Sequence, residues 1–137
     1  MINLIFVLVT FILMEATAWT MHKYVMHGFM WYFHKDHHQP RQGIFEKNDF
    51  FFLIFAVPSC VLMFIGKSNF DMFFWIGLGI LLYGIAYFLV HDVFIHQRFS
   101  WLKKTNSLYF RAIRKAHKVH HKHLGKEHGE CANKTPK

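Results

Sequence analysis

Three long apolar runs dominate the pattern of hydrophobic and polar positions along the chain. They cover residues 2–20, 50–66 and 70–90, and helices of this length approach or reach the thickness of a bilayer at about 1.5 Å per residue. The second run is the shortest and contains Pro58, which membrane helices tolerate because neighbouring groups satisfy the freed carbonyl. The pattern predicts an all-α, multi-pass membrane helical bundle with about three spans.

The first run has a competing interpretation as a signal peptide, because Ala16 and Ala18 form an A-x-A-like cleavage pattern. No Lys or Arg precedes the run, however, and it continues directly into a histidine-rich segment, so we expect a retained span. The third run contains Gly77, Gly79 and Gly84, which we expect to permit close packing against neighbouring helices.

Three spans place two polar, histidine-rich regions on the same side of the membrane, residues 22–49 and residues 91–128. The chain has sixteen Lys and Arg against eight Asp and Glu, and only Lys67 falls on the opposite side. By the positive-inside rule, the histidine-rich side is cytoplasmic. We therefore predict a single membrane-integral domain, residues 1–137, with a cytoplasmic histidine-rich site.

Histidine organises both polar regions. Ten of the twelve histidines fall into four boxes, in the order H-x4-H, H-x2-H-H, H-x4-H, H-x2-H-H. Neutral imidazole binds transition metals at physiological pH, and ten ligands divide reasonably into about five for each of two ions. The predicted metal ligands are His22, His27, His34, His37, His38, His91, His96, His117, His120 and His121.

The two spacings differ in how readily a helix can use them. Residues three and four apart share a helix face, so an H-x2-H-H box can aim its imidazoles at one point. Five residues advance an α-helix by about 500°, which leaves an H-x4-H pair roughly 140° apart. Such a pair needs a helix end, a local distortion or two different metals.

Three carboxylates are candidates for supporting the ligands. Asp36 and Asp92 stand beside box histidines and would accept imidazole N–H groups, with a solvated surface position as the alternative for each. Glu15 lies within the first span on nearly the same helix face as His22. A carboxylate there is costly, so it either supports the metal site, lines a substrate cavity or forms an interhelical hydrogen bond without a catalytic part.

The segment from about Asn106 to Leu124 predicts an amphipathic helix whose apolar residues and histidines face the core. A basic stripe on another face is free for membrane lipids or an acidic partner. We expect no nucleic-acid partner, because a basic cytoplasmic side already explains the charge. The stripe consists of Arg111, Arg114, Lys115, Lys118 and Lys122.

The boxes and their flanking residues resemble the bacterial β-carotene 3-hydroxylase family, within the wider fatty acid hydroxylase superfamily. The similarity runs over almost the whole chain. It includes M-E-A-T-A-W-T-M-H-K-Y-V-M-H-G-F, H-H-Q-P, F-E-K-N-D, H-D-V-F-I-H-Q-R-F and A-H-K-V-H-H-K-H-L-G-K-E-H-G-E-C. Similar proteins commonly continue for some residues past G-E-C, whereas this sequence ends with Ala132–Lys137. The activity expected of it assumes that such a tail is not needed to close the substrate cavity.

The resemblance implies a non-haem di-iron monooxygenase that hydroxylates C3 of the β-ionone rings, carrying β-carotene through β-cryptoxanthin to zeaxanthin. It implies that the ten box histidines hold two iron ions, that O2 is the co-substrate, and that NAD(P)H supplies electrons through a reductase and a ferredoxin-like carrier. It also implies a bacterial cytoplasmic membrane, from which the lipophilic carotenoid enters.

Two alternatives remain open. A hydroxylase or desaturase of a fatty acyl or sterol substrate would share the metal site and differ only in its pocket. A non-enzymatic membrane metal-binding or transport protein would need ionisable residues facing one another along the spans, and only Glu15 qualifies.

We expect His37→Ala or His120→Ala to abolish turnover while leaving membrane insertion intact, because each removes one predicted ligand and lies outside the apolar runs. Product formation in isolated membranes and resistance of the protein to alkaline extraction measure the two effects. Wild-type activity in either variant would remove that residue from the ligand set.

Overall fold

A computed structural model describes residues 2–38, 45–98 and 107–122, with side chains described to residue 119 in the last range. Regular structure in these ranges is entirely helical, which confirms the predicted all-α class. The α-helices are α1 (Ile2–Thr20), α2 (Trp31–His34), α3 (Phe50–Gly66), α4 (Met72–Tyr87) and α5 (Leu108–Lys122). Two π-helical segments, π1 (Met21–Phe29) and π2 (Phe88–Ile95), follow α1 and α4, and a 3₁₀ turn (Lys47–Asp49) precedes α3.

Three helical stretches are long and apolar enough to cross a membrane, judged by length and composition. They are Ile2–Phe29, Lys47–Gly66 and Met72–Ile95. The first and third extend beyond the apolar runs because α1 continues into π1 and α4 continues into π2. Each of these two spans therefore carries an H-x4-H box at its end. The predicted connection over residues 39–49 is described only from residue 45 onwards.

The outer surface of the spans is apolar. Ile12 on α1 and Phe64 on α3 are both 68% exposed, and many other large apolar side chains on these helices are exposed as well. Apolar patches of this extent are rare on soluble monomers but are the normal lipid-facing surface of a membrane bundle. The three apolar helices indicate a membrane protein.

Two glycines of α4 set its distance from the other spans. A Cβ on Gly77 would lie 2.7 Å from Met63 Cγ and 2.8 Å from the backbone oxygen of Ser59. The Ser59 hydroxyl donates to the Gly77 carbonyl at 2.8 Å. A Cβ on Gly79 would lie 2.8 Å from Thr10 Cβ. Gly77 therefore packs on α3 and Gly79 on α1, as expected.

The expectation for Gly84 was wrong. Among the described residues, no heavy atom outside α4's own backbone would lie within 4 Å of a Cβ at this position. Gly84 lies on nearly the same helix face as Gly77, seven residues earlier, but none of the described helices packs closely against it. Close approach to α4 occurs instead at Gly66, near the end of α3, where a Cβ would collide with the Phe74 backbone.

We expect Gly77→Ala to destabilise the bundle by about 1–3 kcal/mol, because the added methyl overpacks the contact with α3. Gly84→Ala is the matched control and should be neutral or slightly stabilising, since Ala is a better helix former than Gly. Denaturant unfolding in detergent micelles, followed by circular dichroism, measures both variants. Equal stability of the two would contradict the assignment of Gly77 to the α3–α4 contact.

Candidate metal centre

The histidines of the described residues form two groups of four. In each group one ligand nitrogen from every histidine lies within 4.8 Å of the others. The first group is His22, His27, His34 and His38, and the second group is His37, His91, His96 and His117.

The spacing within each group fits a metal ion. Imidazole nitrogens bind such ions at about 2.0–2.1 Å, so two nitrogens on opposite sides of one ion are about 4.2 Å apart. Four nitrogens within 4.8 Å of one another need only a small contraction to reach that distance. Imidazole donors suit iron, copper, nickel and zinc. The two groups can therefore hold two ions of this kind.

π-helical turns make the H-x4-H boxes usable. His22 and His27 lie in π1, and His91 and His96 lie at the end of π2, where the His96 N–H donates to the His91 carbonyl at 2.9 Å. This i→i+5 bond winds the helix more widely than an α-helix, so residues five apart come onto one face. The ring centroids are 4.8 Å apart in the first pair and 4.7 Å in the second. Of the three solutions considered above, the local distortion is present in both boxes, and the second box also lies at a helix end.

The first H-x2-H-H box is divided between the two groups. His34 and His38 approach each other through their Nε2 atoms at 3.2 Å, whereas the ring centroids of His37 and His96 are 4.2 Å apart. The expectation that such a box aims its imidazoles at one point is therefore wrong. Consecutive residues on a helical turn point about 100° apart, so His37 and His38 serve different groups and keep those groups adjacent.

The second H-x2-H-H box is described only in part. His117 on α5 reaches His96, with the two Nε2 atoms 2.8 Å apart. The side chains of His120 and His121 lie outside the described residues, so their assignment as ligands stays a prediction.

Two residues that sequence reasoning did not single out hold two of these histidines in place. His34 Nδ1 lies 2.7 Å from Asn48 Oδ1, and His37 Nδ1 lies 2.9 Å from Glu46 Oε2. Amide and carboxylate oxygens only accept hydrogen bonds, so each Nδ1 carries the proton and each Nε2 keeps its lone pair for a metal. The only sequence signal was the cluster of polar residues directly before the second span.

The candidate carboxylates Asp92 and Asp36 have different positions. Asp92 Oδ2 lies 3.3 Å from His91 Nδ1, a position in which it can accept the imidazole N–H. Asp36 Oδ2 accepts a hydrogen bond from the Lys47 backbone N–H at 2.7 Å. Asp36 therefore fastens the 3₁₀ turn to the segment that carries the first H-x2-H-H box.

Glu15 forms an interhelical hydrogen bond, one of the three roles considered for it. The Tyr83 hydroxyl on α4 donates to Glu15 Oε2 at 2.9 Å. Tyr83 is adjacent to Tyr87, whose ring stacks on His91 with centroids 4.8 Å apart. Glu15 also lines an open groove along α1, together with Phe11, Ile12, Ala16 and Trp19.

One residue of the predicted basic stripe on α5 is not free. Arg114 Nη2 donates to the Phe94 carbonyl at 2.9 Å, and its guanidinium lies 4.2 Å from the centre of the Phe94 ring. Arg114 precedes His117 by three residues and so shares its side of the helix. It anchors α5 to π2. The stripe residues with exposed, described side chains are Arg111, Lys115 and Lys118.

Comparison with known proteins gives consistent matches over most of the chain. The profile of the family described as fatty acid hydroxylase matches residues 7–134. The chain is 42% identical over 125 residues to a β-carotene hydroxylase of Pantoea ananas, covering 91% of this chain and 71% of that protein. It is 40% identical over 129 residues to a β-carotene hydroxylase of Pseudescherichia vulneris, covering 93% and 72%. A β-carotene hydroxylase of Paracoccus sp. (strain PC1) is 36% identical over 129 residues, covering 93% and 80%. No solved structure matches the chain.

We expect Asn48→Ala to weaken metal binding in the first group by about 10–100-fold, because His34 loses the acceptor that fixes its ring. Lys47→Ala is the matched control. It changes the adjacent residue, whose ammonium donates to the surface Tyr32 hydroxyl at 2.9 Å. Metal titration of the purified protein against a chelator measures both affinities, and unchanged affinity in Asn48→Ala would contradict the assignment.

Proposed function

The chain belongs to the fatty acid hydroxylase family, and from that premise we propose that it hydroxylates β-carotene at C3 of its rings, through β-cryptoxanthin to zeaxanthin. The family and the β-carotene hydroxylases that cover 91–93% of the chain indicate an oxidoreductase, a hydroxylating monooxygenase. One structural observation carries the proposal. Two groups of four imidazoles stand next to each other, and each group includes a histidine from the end of an apolar span.

We propose iron as the metal in both groups. A pair of iron ions, when bound, supplies reductive activation of O2, in which one oxygen atom enters a C–H bond and the other leaves as water with two protons and two electrons. The chain's own contribution is to orient imidazole nitrogens so that their lone pairs are available to the metal ions. Asn48, Glu46 and Asp92 each accept from an imidazole Nδ1, which leaves the three Nε2 atoms for the metals.

The protein also shields the centre from water. His34, His37 and His38 are only 1%, 6% and 3% exposed, although histidine is a polar residue. A dry site strengthens electrostatic interactions and limits side reactions of an oxidising centre. Burial of these three ligands therefore supports oxygen chemistry over simple metal storage at a surface.

The proposed route of the substrate is through the bilayer. β-Carotene is apolar, and the exposed surface of α1 is mostly apolar up to Trp19, just before π1, so the substrate need not cross bulk water. Phe11 and Trp19 line the groove, and Trp19 lies three residues before His22. This separation is about 4.5 Å along a helix axis. We propose that the polyene chain packs in this groove while one ring reaches the metals.

We further propose that the histidine-bearing ends of the spans face the cytoplasm of a bacterial cytoplasmic membrane. The distribution of basic residues supports this orientation, since Lys67 alone lies between the second and third spans. On that side, NAD(P)H supplies electrons through a reductase and a ferredoxin-like carrier.

The two alternatives differ in their support. A transport or storage protein does not agree with membership of a hydroxylase family. A fatty acyl or sterol substrate agrees with the same metal centre, and the sequence relatives that are β-carotene hydroxylases favour the carotenoid instead.

Expression of the chain in carotene-accumulating bacteria tests the proposal. We expect β-cryptoxanthin to form first and zeaxanthin to follow, with one atom of ¹⁸O2 incorporated at each hydroxyl. A His27→Ala variant is the control that should insert into the membrane and leave β-carotene unchanged, because it removes one imidazole of the first group. Unchanged β-carotene with inserted, metal-loaded wild-type protein would contradict the proposed substrate, and acyl and sterol substrates would be assayed next.

A further inference from the structure

Arg98, just beyond π2, binds three carboxylate oxygens. Its Nη1 and Nη2 donate to the two oxygens of Asp49 at 3.0 and 2.7 Å, and Nη1 also donates to Asp92 Oδ1 at 3.3 Å. Only 11% of the Arg98 side chain is exposed. A planar guanidinium suits a bidentate, largely buried contact of this kind, whereas a lysine ammonium cannot reproduce it.

The backbone before Arg98 is in an unusual conformation. Gln97 has a φ of 53°, in the left-handed region that residues other than glycine rarely adopt. The Arg98 N–H then donates to the Asp92 carbonyl at 2.9 Å, so the chain turns back on the end of π2. Such a conformation persists where surrounding contacts determine it. Here it directs the guanidinium towards Asp49, on the turn before α3.

The first connection from Arg98 leads to His91. Asp92 Oδ1 accepts from the guanidinium, while Asp92 Oδ2 lies 3.3 Å from His91 Nδ1. The same carboxylate is therefore held by Arg98 on one side and by an imidazole on the other. Fixing this carboxylate fixes the rotation of the His91 ring.

The second connection leads to His37. Asp49 Oδ2, which Arg98 holds, also accepts from the Glu46 backbone N–H at 3.1 Å. Glu46 Oε2 in turn lies 2.9 Å from His37 Nδ1. Arg98 thus helps to set the position of Glu46 and, through it, the orientation of the His37 ring.

We propose that Arg98 is a positioning residue of the second histidine group, joining the turn whose Glu46 holds His37 to the segment that carries His91. These two rings stack with centroids 5.1 Å apart and an interplanar angle of 22°, although their residues come from distant parts of the chain. The inference rests on the proposed two-metal centre. It assigns to the Arg98 guanidinium the alignment of the second histidine group. The first group has its own support, because His34 is held by Asn48.

Metal titration of the full chain in detergent tests this role, with Co²⁺ as the probe. Its binding is followed by chelator competition and by the visible spectrum of the bound ion. We expect two bound ions in the wild type. In Arg98→Gln one ion should keep its affinity, while the other is weakened by about 10–100-fold, as for other groups that orient a ligand. Arg98→Lys should lie between the two, because an ammonium keeps the charge and loses the bidentate contact.

Arg111→Gln is the matched control, since it removes an arginine that is exposed on α5 and should bind two ions like the wild type. Two ions with wild-type affinities and spectra in Arg98→Gln would overturn the proposal. Equal weakening of both ions in Arg98→Gln and Arg98→Lys would also overturn it, because it would assign Arg98 to general stability of the fold.

If Arg98→Gln does not insert into the membrane, Asp49→Asn decides between a positioning role and a general stabilising role. This variant keeps the Arg98 guanidinium and weakens its contact with the turn before α3. Selective weakening of one ion supports the proposal, and equal binding or equal weakening of the two ions contradicts it. The titration contains no carotenoid. Its failure is therefore distinguishable from failure of the proposed substrate, which the pigment assay reports.

Discussion

The structure depends on one geometric requirement: imidazoles must converge to within about 4 Å to share a metal ion, and an α-helix cannot bring residues five apart to one point. The chain meets this requirement by ending two of its spans in π-helical segments, π1 and π2. The spans themselves bring these segments together, because Gly77 and Gly79 let α4 pack closely against α3 and α1. The packing of the apolar helices and the convergence of the histidines therefore depend on one another.

The short turn before α3 and the residue that precedes it hold histidines of both groups. Asn48 binds His34 of the first group, Glu46 binds His37 of the second group, and Asp49 binds Arg98 beyond π2. One turn therefore contacts one histidine of each group and the segment that carries His91 and His96. Because hydrogen-bond partners fix the tautomer and orientation of an imidazole, the turn sets which nitrogen of His34 and His37 is left with a lone pair for a metal ion.

Features that depend on local sequence patterns could be predicted from the sequence. Features that depend on tertiary contacts between distant segments could not. Apolar runs gave the three spans, and repeated spacings gave the box histidines, eight of which the structure brings together in two groups. The division of His37 from His38, the missing partner at Gly84 and the anchoring of Arg114 on Phe94 all depend on neighbouring segments. Glu46 and Asn48 are ordinary polar residues in the sequence, and only their proximity to His37 and His34 reveals their role.

The location of the bound metals tests the central claim most directly. X-ray diffraction from crystals of the iron-loaded protein, measured at the iron absorption edge, would place the ions by their anomalous scattering. Two separate peaks are predicted, one enclosed by His22, His27, His34 and His38 and the other by His37, His91, His96 and His117. A single peak, or a peak that draws ligands from both groups, would contradict the division of the histidines into two metal sites.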